Sequence, residues 1–184
     1  MSVNLPNTIT VIRILLVPLF VIYLQKHLFM LSLIVFVVAA ISDGLDGMLA
    51  RFFNQRTSLG AYLDPIADKM LLISAFITLS IQGIIPFWLS VVVISRDILI
   101  MTGILICTMV DIKVKIQPSI ISKFTTVAQL LTVFISLLYQ VISPILSISW
   151  TQALYGVTSS LTIISGLHYI YKGLNIHQND SQNH

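Results

Sequence analysis

Asp43, Asp46, Asp64 and Asp68 fall within a 26-residue stretch of a 184-residue chain that is otherwise mostly apolar. All seven acidic residues of the chain are aspartates, so more than half of its negative charge is gathered here. Four carboxylates crowded into a medium of low dielectric cannot all ionise unaided, because mutual repulsion and desolvation both favour the neutral acid. Hard divalent cations resolve the conflict: Mg²⁺ or Mn²⁺ prefers carboxylate oxygens and completes its shell with water and phosphate oxygens. Two such ions side by side form the clamp used for in-line displacement at phosphorus. Gly44, Gly47, Ala50 and Gly60 are interleaved with the acids, and small residues let a bulky ligand approach the backbone. Arg51, one turn beyond Gly47, adds a planar cation suited to gripping phosphate through two hydrogen bonds. The constellation reads as a metal-bound pyrophosphate site. Structural pairing or helix capping would explain one such aspartate more readily than four at helical spacing.

The elements that must position these groups follow from spacing and hydropathy. Asp43 and Asp46 are three apart and Asp64 and Asp68 four apart, so each pair shares a helical face. The chain is 57% hydrophobic and 9% charged, with a mean hydropathy of +0.96, which is the composition of a polytopic membrane protein. With about 20 residues per spanning helix, its length accommodates six helices in an all-α transmembrane domain over 1–174. Spans are expected at 8–25, 29–50, 60–82, 86–109, 121–142 and 148–171, followed by a disordered polar tail over 175–184. The short Arg51–Ser58 turn would set the second and third spans antiparallel and let both carboxylate pairs converge just inside one membrane boundary.

Charge decides sidedness. Six spans put Arg51, Arg56, Lys113, Lys115 and Lys172 on one side and only Lys26 in the loops of the other, so the acidic motif is expected at the cytoplasmic face of the inner (plasma) membrane. Net charge +3 without a basic run or a basic-aromatic pattern points to lipid phosphate as partner and excludes nucleic acid. The single Cys107 has no intrachain disulfide partner and reads as a small core hydrophobe. The start of the chain lacks the pattern of a cleaved signal and is taken as a first helix. His27 reads as interfacial and His168 as buried, with neither needed by a hard-cation site.

The run Asp43-x2-Asp46-Gly47-x2-Ala50-Arg51-x8-Gly60-x3-Asp64-x3-Asp68 resembles the complete signature of the CDP-alcohol phosphatidyltransferase family. Leu5-Pro6-Asn7-Thr8-Ile9-Thr10-Val11-Ile12-Arg13 and Pro18 also resemble the family's first helix, so the similarity reaches nearly everything but the tail. The resemblance implies a six-helix fold, usually a homodimer, that transfers the phosphatidyl group of CDP-diacylglycerol to an alcohol and releases CMP. Carried over by position, it makes Asp43, Asp46 and Asp64 metal ligands and Asp68 the general base and a further ligand. It also lays Gly47, Ala50, Arg51 and Gly60 against the CDP-lipid, with Asn7 and Thr10 approaching the nucleotide.

The acceptor is sought in the second half. Arg96 and Asp97 are expensive inside a membrane and must face the interior, as an anion pocket or as a mutual structural pair, with the pocket preferred. Ile94-Ser95-Arg96-Asp97 and Gln117 to Leu130, including Ser122-Lys123, resemble the cardiolipin synthase branch, which uses phosphatidylglycerol. The phosphatidylglycerophosphate synthases, which use glycerol 3-phosphate, usually show Arg-Glu and Gly-Lys at these places. Arg96 and Lys123 are therefore the candidate contacts for the acceptor phosphate, and phosphatidylglycerol is narrowly favoured over glycerol 3-phosphate. A non-enzymatic alternative is an ion or proton transporter, since intramembrane carboxylates also mark ion paths. Clustering of the acids at one boundary speaks against it.

Overall fold

The computed structural model describes the backbone of residues 5–52, 58–109, 120–142 and 148–181, and the side chains of 11–42, 69–103, 120–142 and 150–171. These residues form six helices and no strand: α1 (Leu5–Gln25), α2 (Phe29–Phe52), α3 (Ser58–Ile81), α4 (Phe87–Met109), α5 (Ile120–Ile142) and α6 (Ile148–Ser181). Five lie within a few residues of the expected spans. The sixth departs from expectation, because the polar tail predicted from Asn175 is helical through Ser181. No proline interrupts the chain beyond Pro144, and a helix satisfies its own backbone without burying a face, so low hydrophobicity alone did not end it.

The stops between helices have local causes. After α1 the chain turns at His27, whose φ of 56° is left-handed. The Leu28 N–H donates to the Tyr23 carbonyl and the His27 N–H to the Leu24 carbonyl, a Schellman closure. α3 ends in the same way, with Gly83 at φ 71° and the Ile84 N–H donating to Leu79. Here glycine adopts the left-handed turn without strain. The Gln82 side chain reaches back across the first unit to donate to the Leu24 carbonyl at 2.6 Å, tying the ends of α1 and α3 together.

The chain divides into two compact units, 1–85 with 133–147, and 86–132 with 148–184, and α5 passes from one to the other between Thr132 and Val133. In the first, α1 packs along both α2 and α3. Arg13, Val17, Phe20 and Leu24 form one buried stripe of α1, at alternating steps of four and three. Ser32, Phe36 and Ala39 form the stripe on α2, and Leu72, Ala75 and Leu79 that on α3. Phe20 meets Phe36 with ring centroids 5.9 Å apart. In the second unit α4 packs on α6, and its interior is rich in hydroxyls: Thr125 and Thr132 on α5, and Thr158, Thr162 and Ser165 on α6 are all buried.

Outward faces are apolar, with Leu15, Ile81, Phe87, Trp150 and Leu167 all exposed. Among the described residues, α5 is the one helix both long and apolar enough to cross a membrane, and Val11–Gln25, Phe29–Ser42 and Lys69–Ile81 are shorter apolar helical stretches. His168 is exposed, which corrects the expectation of a buried imidazole: the inward stripe of α6 runs through Thr158, Thr162 and Ser165 and leaves position 168 outside it.

Candidate active site

Both sets of candidate residues ride on helices, one in each unit. In the first, Asn7 and Thr10 lie on α1, Asp43, Asp46, Gly47, Ala50 and Arg51 on α2, and Gly60, Asp64 and Asp68 on α3. Their side chains fall outside the described residues. By count, the steps of four and three that separate Ser32, Phe36 and Ala39 continue to positions 43 and 46, and a step of four back from Leu72 reaches position 68, with 64 one turn further. The four acidic positions thus lie on two helices that both pack on α1.

That frame answers whether the residues fit divalent metal ions. The donor set is four hard oxygen acids with no imidazole or thiol in the motif, as Mg²⁺ or Mn²⁺ requires. The same unit also carries a completely buried cation, Arg13, at the end of the α1 stripe. A buried guanidinium is tolerated only beside compensating negative charge. Both features fit an anionic centre that takes cations.

In the second unit the side chains of Arg96, Asp97 and Lys123 are among the described residues. Arg96 and Asp97 are 6% and 1% exposed, on a helix of strongly apolar sequence. The Arg96 Nη1 donates to Asp97 Oδ1 at 2.7 Å. Its Nη2 donates to Ser122 Oγ of α5 at 2.5 Å and to Ser165 Oγ of α6 at 2.8 Å. The guanidinium carbon stands 6.0 Å from the centre of the Tyr169 ring, within reach of a cation–π attraction. A Cβ built on Gly166 would stand 3.6 Å from Arg96 Cγ, so an alanine there would meet the aliphatic stem at ordinary van der Waals distance. Three helices hold one cation, and its orientation is determined.

One donor is left over. The Arg96 Nε is buried and has no hydrogen-bond partner among the described residues. The geometry shows the mutual pair read from the sequence as one alternative, Arg96 with Asp97, and leaves Nε without a partner among the described residues. Lys123, next to Ser122 in the first turns of α5, is exposed.

Sequence reasoning missed two groups. Arg13 was noticed only within the first-helix pattern, although its place at a step of four from Val17 in an apolar stripe was a usable signal. The polar seam was visible as Ser122, Thr125, Gln129, Thr132 and Ser136, four hydroxyls and one amide at steps of three and four. Thr132 Oγ1 and Thr158 Oγ1 are 2.7 Å apart, and Thr125 Oγ1 donates to the Leu161 carbonyl at 3.1 Å. These bonds join α5 to α6 as small polar residues join helices in lipid.

Comparison with known proteins agrees with the motif. The sequence model of CDP-alcohol phosphatidyltransferases matches residues 3–164. The chain is 37% identical to a CDP-diacylglycerol–glycerol-3-phosphate 3-phosphatidyltransferase of Wigglesworthia glossinidia brevipalpis, over 93% of this chain and 95% of the relative. It is 31% identical to the protein of the same name from Bacillus subtilis, over 92% and 94%. It is also 31% identical to the human cardiolipin synthase (CMP-forming), over 92% of this chain and 62% of the human protein.

Proposed function

The chain belongs to the CDP-alcohol phosphatidyltransferase family, an enzyme family of phospholipid biosynthesis, and we propose that it transfers the phosphatidyl group of CDP-diacylglycerol to a glycerol hydroxyl of phosphatidylglycerol, forming cardiolipin and CMP. The transporter alternative falls with the family assignment. The observation that carries the choice of acceptor is the Arg96 cage. Its pairing with Asp97 leaves the buried couple without net charge, and Lys123 alone among the nominated contacts adds a positive one. That balance suits the single negative charge of a phosphodiester better than the near-dianion of a phosphomonoester. The Arg-Asp and Ser-Lys pattern supports the same choice. Two relatives named for glycerol 3-phosphate keep that acceptor as the second reading.

The family is generally dependent on divalent metal, and Asp43, Asp46, Asp64 and Asp68 are the residues that would hold two ions, Mg²⁺ or Mn²⁺. Bound there, such ions would neutralise the diphosphate and polarise the phosphorus under attack. The rest falls to the chain itself. Asn7, Thr10, Gly47, Ala50, Arg51 and Gly60 bind the CDP-lipid, with Arg51 gripping phosphate and the small residues admitting the nucleotide to the helix backbone. Arg96 and Lys123 fix the acceptor's phosphate and so aim its hydroxyl. Asp68 takes the hydroxyl proton as the new P–O bond forms and the bond to CMP breaks. It can do so only if it is not gripped as a ligand throughout, because coordination lowers its basicity. Apolar outward faces support a six-span membrane protein with the acids at the cytoplasmic side, assembled as a homodimer.

The test is direct. Purified enzyme receives CDP-diacylglycerol and Mg²⁺ or Mn²⁺ with phosphatidylglycerol, glycerol 3-phosphate, serine or inositol in separate reactions, and CMP and the lipid product are identified. Cardiolipin with stoichiometric CMP is expected. Phosphatidylglycerophosphate as the sole product would overturn the acceptor and leave the family chemistry standing.

A further inference from the structure

Arg13 is completely buried and is the largest fully buried side chain described, yet none of the roles above uses it. A guanidinium stripped of water is strongly destabilising unless negative charge lies beside it. In the unit that contains it, the sequence supplies no carboxylate except Asp43, Asp46, Asp64 and Asp68; Asp97, Asp111 and Asp180 belong to the other unit. Helical register narrows the choice. Phe20 of α1 is in ring contact with Phe36 of α2 across an antiparallel hairpin. Seven residues back from Phe20 is Arg13, and seven residues on from Phe36 is position 43. A step of seven is two turns of helix, so both positions return to the shared face at the same level. On α3, the bond from Gln82 to Leu24 sets the level at the far end. Counting back equally along the parallel helices α1 and α3 brings Arg13 beside Leu71, one turn from position 68.

We infer that Arg13 is the resident counter-cation of the acidic centre, with Asp43 as its principal partner and Asp68 next, and that it sets how tightly that centre takes divalent ions. A fixed positive charge makes the carboxylates stable when no metal is present, and it weakens each incoming ion by repulsion. Arg13 is thus a positioning residue: it touches neither substrate nor reacting atoms, and acts through the carboxylates. The metal half of the inference rests on the reading proposed above, whereas the charge pair does not.

The experiment follows metal-free thermal stability and Mn²⁺ binding in detergent-purified enzyme, the latter by electron paramagnetic resonance of free Mn²⁺. Arg13→Gln is expected to lower the metal-free midpoint and to tighten Mn²⁺ binding by at least about tenfold, with Arg13→Lys close to the unaltered enzyme in both. Arg13→Gln/Asp43→Asn should regain metal-free stability, because the uncompensated carboxylate has been removed together with its cation. Unchanged Mn²⁺ affinity in Arg13→Gln, or a double variant no more stable than Arg13→Gln, overturns the inference. If Arg13→Gln alone does not fold, recovery of a folded protein in the double variant supports the pair, and failure of it and of Arg13→Gln/Asp68→Asn overturns it. An unaltered enzyme that binds no Mn²⁺ would sink the metal reading, while the double variant, measured without metal, still decides the pair.

Discussion

Among the described residues each unit buries one arginine, and the two stand in different surroundings. Arg96 is held by what surrounds it: an aspartate at the next position of its own helix, two serine hydroxyls from α5 and α6, and an aromatic face. Arg13 ends a stripe of Val17, Phe20 and Leu24, in a unit whose described interior is largely apolar. The first arrangement makes a cation rigid and electrically quiet, suited to orienting an anion. The second suits a cation that answers a concentrated negative charge. At Arg96 one carboxylate cancels the charge and two hydroxyls cap it, whereas the sequence of the unit that holds Arg13 supplies four carboxylates.

That contrast can be broken at several points. The largest effect is expected in the acidic centre, where Asp43→Asn and Asp64→Asn should each lower turnover at least about a thousandfold and remove its response to added divalent ion. A variant that stays active in chelator would end the metal assignment. Asp68→Asn should leave CDP-diacylglycerol binding intact and lower kcat by about a hundred- to ten-thousandfold; near-normal turnover, with binding measured separately, would refute its role as base. Arg96→Ala should raise the acceptor KM by about ten- to a hundredfold while the KM for CDP-diacylglycerol moves little. Equal effects on both would reduce Arg96 to a structural member of α4. Ser165→Ala is the mildest: losing one cap on the buried guanidinium should cost about 1 kcal/mol in unfolding stability, with a change of a few-fold in acceptor KM. A KM unchanged beside a lowered melting midpoint would show that the hydroxyl supports the helices only.

Much of the architecture was legible before any coordinates. Five of six helices fell within a few residues of their expected spans, because hydrophobic length and charged or proline-bearing breaks are local properties of the chain. The sixth overran because a helix can continue through polar residues that bury nothing, and hydropathy has no signal for that. The acidic motif was legible by residue type and spacing. Ser165 was not, since it lies far along the chain from Arg96 and its part in the cage comes from packing between α4 and α6.

Residue order alone determined the family, the helical count, and the gathering of four acids onto two helix faces, because each depends on periodicity within a short segment. Only the tertiary structure decided that Arg96 is caged with its Nε left without a partner among the described residues, and that Arg13 is buried in the unit whose helices carry the acids. The reason is physical: the environment of a charge, water or protein, is a property of the surfaces that close around it, and no local stretch of sequence contains them.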